Sequence, residues 1–200
     1  MFRVIDERTT NGGVYLDSGS SSYRRFLDGD EMGLVEIVRD YKDGLILYIN
    51  SIVNNIHIAE ELTEDTFVRL VVRRPADKGN SSFKTWLYTM GRNRAIDYLR
   101  HHKRHQKVLL DECADNTITT NSVEELYFRE EKRRAVHLAL GRLKPDYQQV
   151  LWLIYFENFS CKQAAKVMKK KVHAIEMLAS RARKALSEEL RKEGYTSEIL

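Results

Sequence analysis

Proline and glycine are scarce in this chain, at two and ten of 200 residues. So few turn formers argue against a many-stranded β architecture and favour long helices. Cysteine is as rare: Cys113 and Cys161 make no disulfide framework and lack the spacing of a zinc site. A cytoplasmic setting with reduced thiols is therefore expected. Long apolar runs are missing too. The longest, Val150 to Phe156, has seven residues, against roughly 20 for a membrane-spanning helix, so no stable membrane insertion is expected. The opening MFRVIDERTT is charged within its first few residues and has no apolar stretch of the kind a secretory signal carries. No Gly-rich phosphate loop and no Ser/His/Asp set is evident, and the expectation is of no catalytic residue, no cofactor and no small-molecule substrate. His101 and His105 stand at i, i+4, but no carboxylate or cysteine joins them at ligand spacing, so no metal is expected either.

A 42% hydrophobic share beside 31% charged residues is that of a soluble folded protein. The net charge of +4 is modest. Its distribution is more informative, because the cations concentrate in 92–107 and 162–192.

Residues 1–27, with their NGGVYLDSGSSSY segment, read as a flexible or disordered tail. Helical periodicity begins near Asp30. Leu34, Val38, Tyr41, Leu45, Ile49, Ile52 and Ile56 recur at steps of three and four, a sustained apolar stripe. From about Ile58 a second helix sets Ala59, Leu62, Thr66, Phe67 and Leu70 on one side and Glu60, Glu61, Glu64 and Asp65 on the other. Pro75 and Gly79 end it. Periodicity disappears between 106 and 122, which reads as an interdomain linker. A helix to about Leu143 follows, with Val123, Leu126, Val136, Leu140 and Leu143 as candidate core. Pro145 suits the first position of the next helix, PDYQQVLWLIYFEN.

The segment FKTWLYTMGRNRAIDYLRHHKR, Phe83 to Arg104, starts aromatic and ends basic. Aromatic rings stack on bases and cations follow phosphates, a combination that suits single-stranded nucleic acid. On one helix, Trp86, Asn93, Asp97 and Arg100 fall close to a single stripe, since they step by 7, 4 and 3. The residues alone leave a solvated basic helix as the alternative. Near the C-terminus, Ser160 suits an N-cap with Gln163 at the capping-box position. Lys169–Lys171 form a turn, and Ile175, Leu178, Ala179, Ala182 and Leu186 share one face of the helix beyond. This reads as a helix-turn-helix, whose second helix enters the major groove, although Lys169 stands where many such turns carry glycine.

Taken in order, these blocks resemble the extracytoplasmic-function sigma factors, the smallest group of the sigma-70 family. The resemblance covers about residues 28–192. AEELTEDTFVRL is similar to the family's polymerase-binding helix, FKTWLYTMGRNRAIDYLRHHKR to its −10-reading helix, and LGRLKPDYQQVLWLIYFENFSCKQAAKVM with SRARKAL to its −35-reading domain. It implies an all-α fold of two small helical domains joined by a flexible linker. These are a polymerase-binding and −10-reading domain over 28–105, the linker over 106–122, a helix-turn-helix domain over 123–193 and a tail over 194–200. The implied partners are core RNA polymerase, promoter DNA and, as is common in the group, an anti-sigma factor.

Carried over position by position, the resemblance assigns polymerase binding to Glu61, Leu62, Glu64, Asp65 and Phe67. It assigns the −10 element to Trp86, Arg92, Asn93, Arg94, Asp97, Tyr98, Arg100, Lys103 and Arg104, with Asn93 reading a flipped base and Trp86 in the platform beneath it. The −35 element falls to Lys171, His173, Glu176, Met177, Ser180, Arg181 and Arg183. The match is not complete. Glu61 and Asp65 exchange acid lengths relative to the family pattern, Glu64 replaces a usual Gln, and Glu176 and Leu178 stand where basic residues are frequent. Glu176 either accepts from cytosine N4 or only neutralises Lys169–Lys171. The competing function is a dimeric helix-turn-helix regulator that binds duplex operators without polymerase, which leaves the acidic 59–70 face unexplained.

Overall fold

The computed structural model describes residues 18–75, 81–109 and 131–192. All regular structure among them is helical: α1 (Ser18–Leu27), α2 (Glu31–Val53), α3 (Ile56–Arg73), α4 (Phe83–Leu109), α5 (Glu131–Gly141), α6 (Pro145–Leu151), α7 (Cys161–Met168) and α8 (Val172–Lys192).

Local chemistry fixes where these helices begin and end. The Asp30 carboxylate accepts from the Met32 amide at 3.0 Å and caps α2. Asn54 closes α2 in the left-handed region at φ 53°, and the next residue, Asn55, caps α3 by accepting from the Ile58 amide at 3.1 Å. Two adjacent asparagines thus make the corner between α2 and α3, because asparagine tolerates the left-handed region and can cap. α2 is the central helix, in contact with α1, α3 and α4. Ile37, Leu45, Tyr48 and Ile49 of α2, Leu70 of α3 and Phe83, Leu87 and Tyr88 of α4 are fully buried. Each such side chain contributes on the order of 2 kcal/mol by leaving water.

Part of the expected 1–27 tail is ordered. Ser18–Leu27 form α1, with Tyr23 and Phe26 buried and the Tyr23 hydroxyl donating to the Pro75 carbonyl at 2.8 Å. Gly33 lets α1 approach α2 closely, since a Cβ there would lie 2.2 Å from the Ser22 carbonyl oxygen. Residues 1–17 and the tail from 194 lie outside the described residues, as do most of the 106–122 linker and the candidate core positions Val123 and Leu126.

The C-terminal module is α5 to α8. Pro145 opens α6, as its fixed φ and missing N–H dictate. The single helix expected over PDYQQVLWLIYFEN changes character after Leu151. Trp152–Phe156 form a π-helical turn in which the Trp152 and Phe156 rings stack at 4.4 Å, with His137 edge-on to Trp152 at 5.5 Å. Asn158 follows in the left-handed region at φ 55°. This change of pitch and direction carries Glu157 and Phe159 toward α2 and α4. The capping box of α7 is complete: the Gln163 amide donates to Ser160 Oγ at 3.3 Å, and Gln163 Oε1 accepts from the Ser160 amide at 2.9 Å. Lys169 ends α7 at φ 54°. Ile175, Ala179, Ala182 and Leu186 of α8 are buried, as their spacing predicts, with Leu178 at the margin.

Candidate nucleic-acid and docking interface

α3 displays two faces. Ala59, Leu62, Thr63, Thr66, Phe67 and Leu70 point into the core, and the Thr63 and Thr66 hydroxyls donate to the carbonyls four residues back, at 2.7 Å each. Of the five residues expected to meet a partner, Leu62 and Phe67 are therefore spent on packing, each 8% exposed. Glu61 and Glu64 are exposed and Asp65 is half-buried. The outward stripe continues through Val68 and Val72, 56% and 75% exposed. These two valines were missed, although their i+4 and i+8 spacing from Glu64 puts them on the acidic face. An apolar patch rimmed by carboxylates suits a basic or amide-rich partner surface.

α4 is anchored in the core by Phe83, Leu87, Tyr88 and Ala95, and exposes Asp97, Arg100, His101 and His102 farther along. Trp86 is half-buried, 5.6 Å from Phe83 and 5.4 Å from Tyr23. The ring expected to carry a base thus spends much of its surface on the α1–α4 seam. Asn93 is half-buried, while Asp97 and Arg100 are exposed and lie 3.7 Å apart. Arg94 turns toward α3 and pairs with Asp65, which also lies 3.4 Å from Arg69. Arg92 turns the other way and donates from Nε to Gln149 Oε1 at 3.2 Å. Tyr98 stacks on His102, centroids 5.7 Å apart and planes 10° from parallel, an i, i+4 aromatic pair that the sequence reading overlooked. Leu62, Arg94, Asp97, Tyr98 and His101 line an open cleft of about 280 Å³ between α3 and α4. Lys103, Arg104 and His105 lie in the last turns of α4, where side chains fall outside the description.

α8 presents its first half to solvent. Lys171 just before it and His173, Glu176, Met177, Arg181 and Arg183 along it are exposed, and Ser180 is half-buried. Glu176 leans toward His173 at 3.6 Å, and Lys170 pairs with Asp146 at 3.0 Å. All seven residues expected to meet the −35 element thus share one module, six on α8 and Lys171 immediately before it, apart from the −10 set on α4. No group of three or more metal-ligating side chains occurs among the described residues. Nor is any of their helices long and apolar enough to cross a membrane.

Two family models match this chain: Sigma-70 region 2 over residues 37–105 and Sigma-70, region 4 over residues 133–186. The chain is 27% identical over 158 residues to the RNA polymerase sigma factor YlaC of Bacillus subtilis (strain 168), covering 78% of this chain and 91% of that protein. It is 26% identical over 137 residues to the ECF RNA polymerase sigma factor SigM of the same organism, covering 68% and 82%. Among solved structures, its fold is similar to the sigma factor RpoE in complex with the anti-sigma factor NepR from Bartonella quintana. That match has a TM-score of 0.65 at 22% identity and covers 78% of this chain and 95% of that one. CnrH in complex with the cytosolic domain of CnrY gives 0.63 at 20% identity, covering 88% and 99%.

Proposed function

Because the chain belongs to the sigma-70 family of RNA polymerase sigma factors, and within it to the extracytoplasmic-function group, we propose the following division of labour among its helices. The protein is a non-enzymatic initiation factor that directs core RNA polymerase to specific promoters. The outer stripe of α3, Glu61, Glu64 and Asp65 with Val68 and Val72, docks on the polymerase. Leu62 and Phe67 hold that stripe in place from beneath. The exposed half of α8 reads duplex DNA at −35, and α4 takes the unpaired −10 strand. Asn93 meets a flipped base, and Tyr98, Arg100, Lys103 and Arg104 follow the backbone. The domains run over 28–105 and 123–193, extended at the N-terminus by α1, and the protein works in the cytoplasm. A further partner is an anti-sigma factor covering the same helices.

The observation that carries this reading is the separation of an acidic, apolar-studded docking face from two distinct basic helices, one on each matched region. Energetics supports the order of events. Unstacking costs a few kcal/mol per base, stacking on protein recovers about 1–3 kcal/mol per base, and phosphate neutralisation adds a salt-dependent term. Neither module alone has a large surplus, so the polymerase holds both at high effective concentration. Asn93→Ala tests the base-reading role. It is expected to relax −10 selectivity in transcription assays with polymerase affinity unchanged, and an unaltered ranking of −10 variants overturns the assignment.

A further inference from the structure

The face that α8 turns to solvent has an apolar centre. Ile175, Ala179, Ala182 and Leu186 are buried in the C-terminal module, and at about 100° per residue Met177 falls on the opposite side of the helix. His173 stands one turn before it and Arg181 one turn after, both exposed. Ala174, also exposed, lies beside it at i−3. Met177 itself is 44% exposed, while its neighbour Leu178 packs against the core. Val172 is exposed to a similar degree, 41%, but it stands five residues away and so about 140° around the helix, on its flank.

A single exposed methionine on a surface helix is ordinary. This one stands where base edges would meet the helix, since a recognition helix reads with its N-terminal residues, and its chemistry there is selective. The thioether has no N–H or O–H to donate and accepts only weakly. It satisfies neither the two acceptors of guanine nor the amino groups of cytosine and adenine, and covering those groups without a partner is unfavourable. The major-groove edges carry one apolar group, the C5 methyl of thymine. An unbranched side chain with three rotatable bonds can follow that methyl, and Ala174 widens the apolar spot.

We propose that Met177 makes thymine the preferred base at one position of the −35 element, by taking the C5 methyl of that base out of water. The proposal rests on the sigma reading, which places α8 in the −35 major groove, and goes beyond it in naming the base and the group recognised. Helix rise locates the thymine. Met177 is about 6 Å along the axis from His173 and from Arg181, against about 3.4 Å per base pair. The thymine therefore lies within about two base pairs of the bases those two side chains meet.

Single-atom changes in the promoter test this. Holoenzyme made from core polymerase and the full chain first selects promoters from a randomised library. Each thymine of the selected −35 element, on either strand, is then replaced singly by deoxyuridine, which removes the methyl and nothing else. At one position the replacement should lower the template's share of open complexes about fourfold in competition with the unaltered promoter, the worth of one methyl group leaving water. With Met177→Ala that penalty should vanish, and with Val172→Ala, on the flank, it should stay. Met177→Gln, of similar length but with a polar end, should lose it too. Far-UV circular dichroism checks that the variants are folded. A −35 element without a methyl-sensitive thymine, or a penalty that persists in the folded Met177 variants, overturns the proposal and leaves the sigma reading intact. A holoenzyme with no promoter selectivity defeats the sigma reading and the proposal with it.

Discussion

Arg94 of α4 forms an ion pair with Asp65 of α3, and so ties the proposed −10 helix to the proposed docking helix. The two side chains are 27% and 37% exposed, so solvent screens the pair and its worth is modest. A double-mutant cycle of Asp65→Ala and Arg94→Ala should give a coupling of about 1 kcal/mol in urea unfolding. Additive single effects would show that the pair does not join the helices. Arg94 then becomes available to DNA, as the family pattern has it.

The hold of α1 on α2 should weaken in acid. The Arg25 guanidinium, aided by the Ser22 hydroxyl at 2.6 Å, holds the Glu36 carboxyl below its ordinary range. A carboxyl whose folded pKa is depressed contributes stability above its unfolded value, about 4.3, and loses it as pH falls through that value to the lower folded one. Urea midpoints of the parent and Glu36→Gln should therefore differ at neutral pH and converge as pH drops from about 6 to about 3. A constant gap across that range contradicts this account of α1 docking.

The turn of the helix-turn-helix carries strain that glycine would relieve. Lys169 sits at φ 54°, where a Cβ crowds the backbone. Lys169→Gly should raise stability by about 0.5–1 kcal/mol, read as a higher thermal midpoint, because the relief at a helix C-terminus outweighs glycine's entropy. A lower midpoint would mean that the lysine side chain contributes more than its backbone costs.

Much of this was legible in the chain itself. The steps of three and four over 34–56, the Ser160–Gln163 cap and the buried face of α8 all follow from spacing that any helix must obey. Spacing also set Leu62 and Phe67 on the inner side of α3, while the family pattern assigned them to a partner, and the structure agrees with the spacing. α1 was hidden by its serines, although Tyr23 and Phe26 at i, i+3 are a short apolar stripe. The contact between Lys84 and Glu157 was not legible at all. Lys84 and Glu157 look like ordinary surface charges until a π-helical turn and a left-handed Asn158, neither of which has a period to read, bring them together from 73 residues apart.

Glu176 should shape the −35 preference. It is exposed and near His173, while Lys170 is paired with Asp146, which leaves Glu176 placed to accept from a base edge. Glu176→Ala should relax selection at one −35 position by about tenfold, the worth of one good base contact, as measured by competition among −35 variants in transcription. Equal loss on every variant would mean that Glu176 acts on the charge of α8 and not on a base.

The central claim is that this chain confers promoter choice on core RNA polymerase. Run-off transcription with purified core polymerase on a randomised-promoter library, with and without the protein, tests it most directly. The account predicts transcripts enriched for templates that share a −35 and a −10 element. No gain in selectivity, together with tight binding of duplex DNA by the protein alone, would contradict it in favour of a dimeric helix-turn-helix regulator.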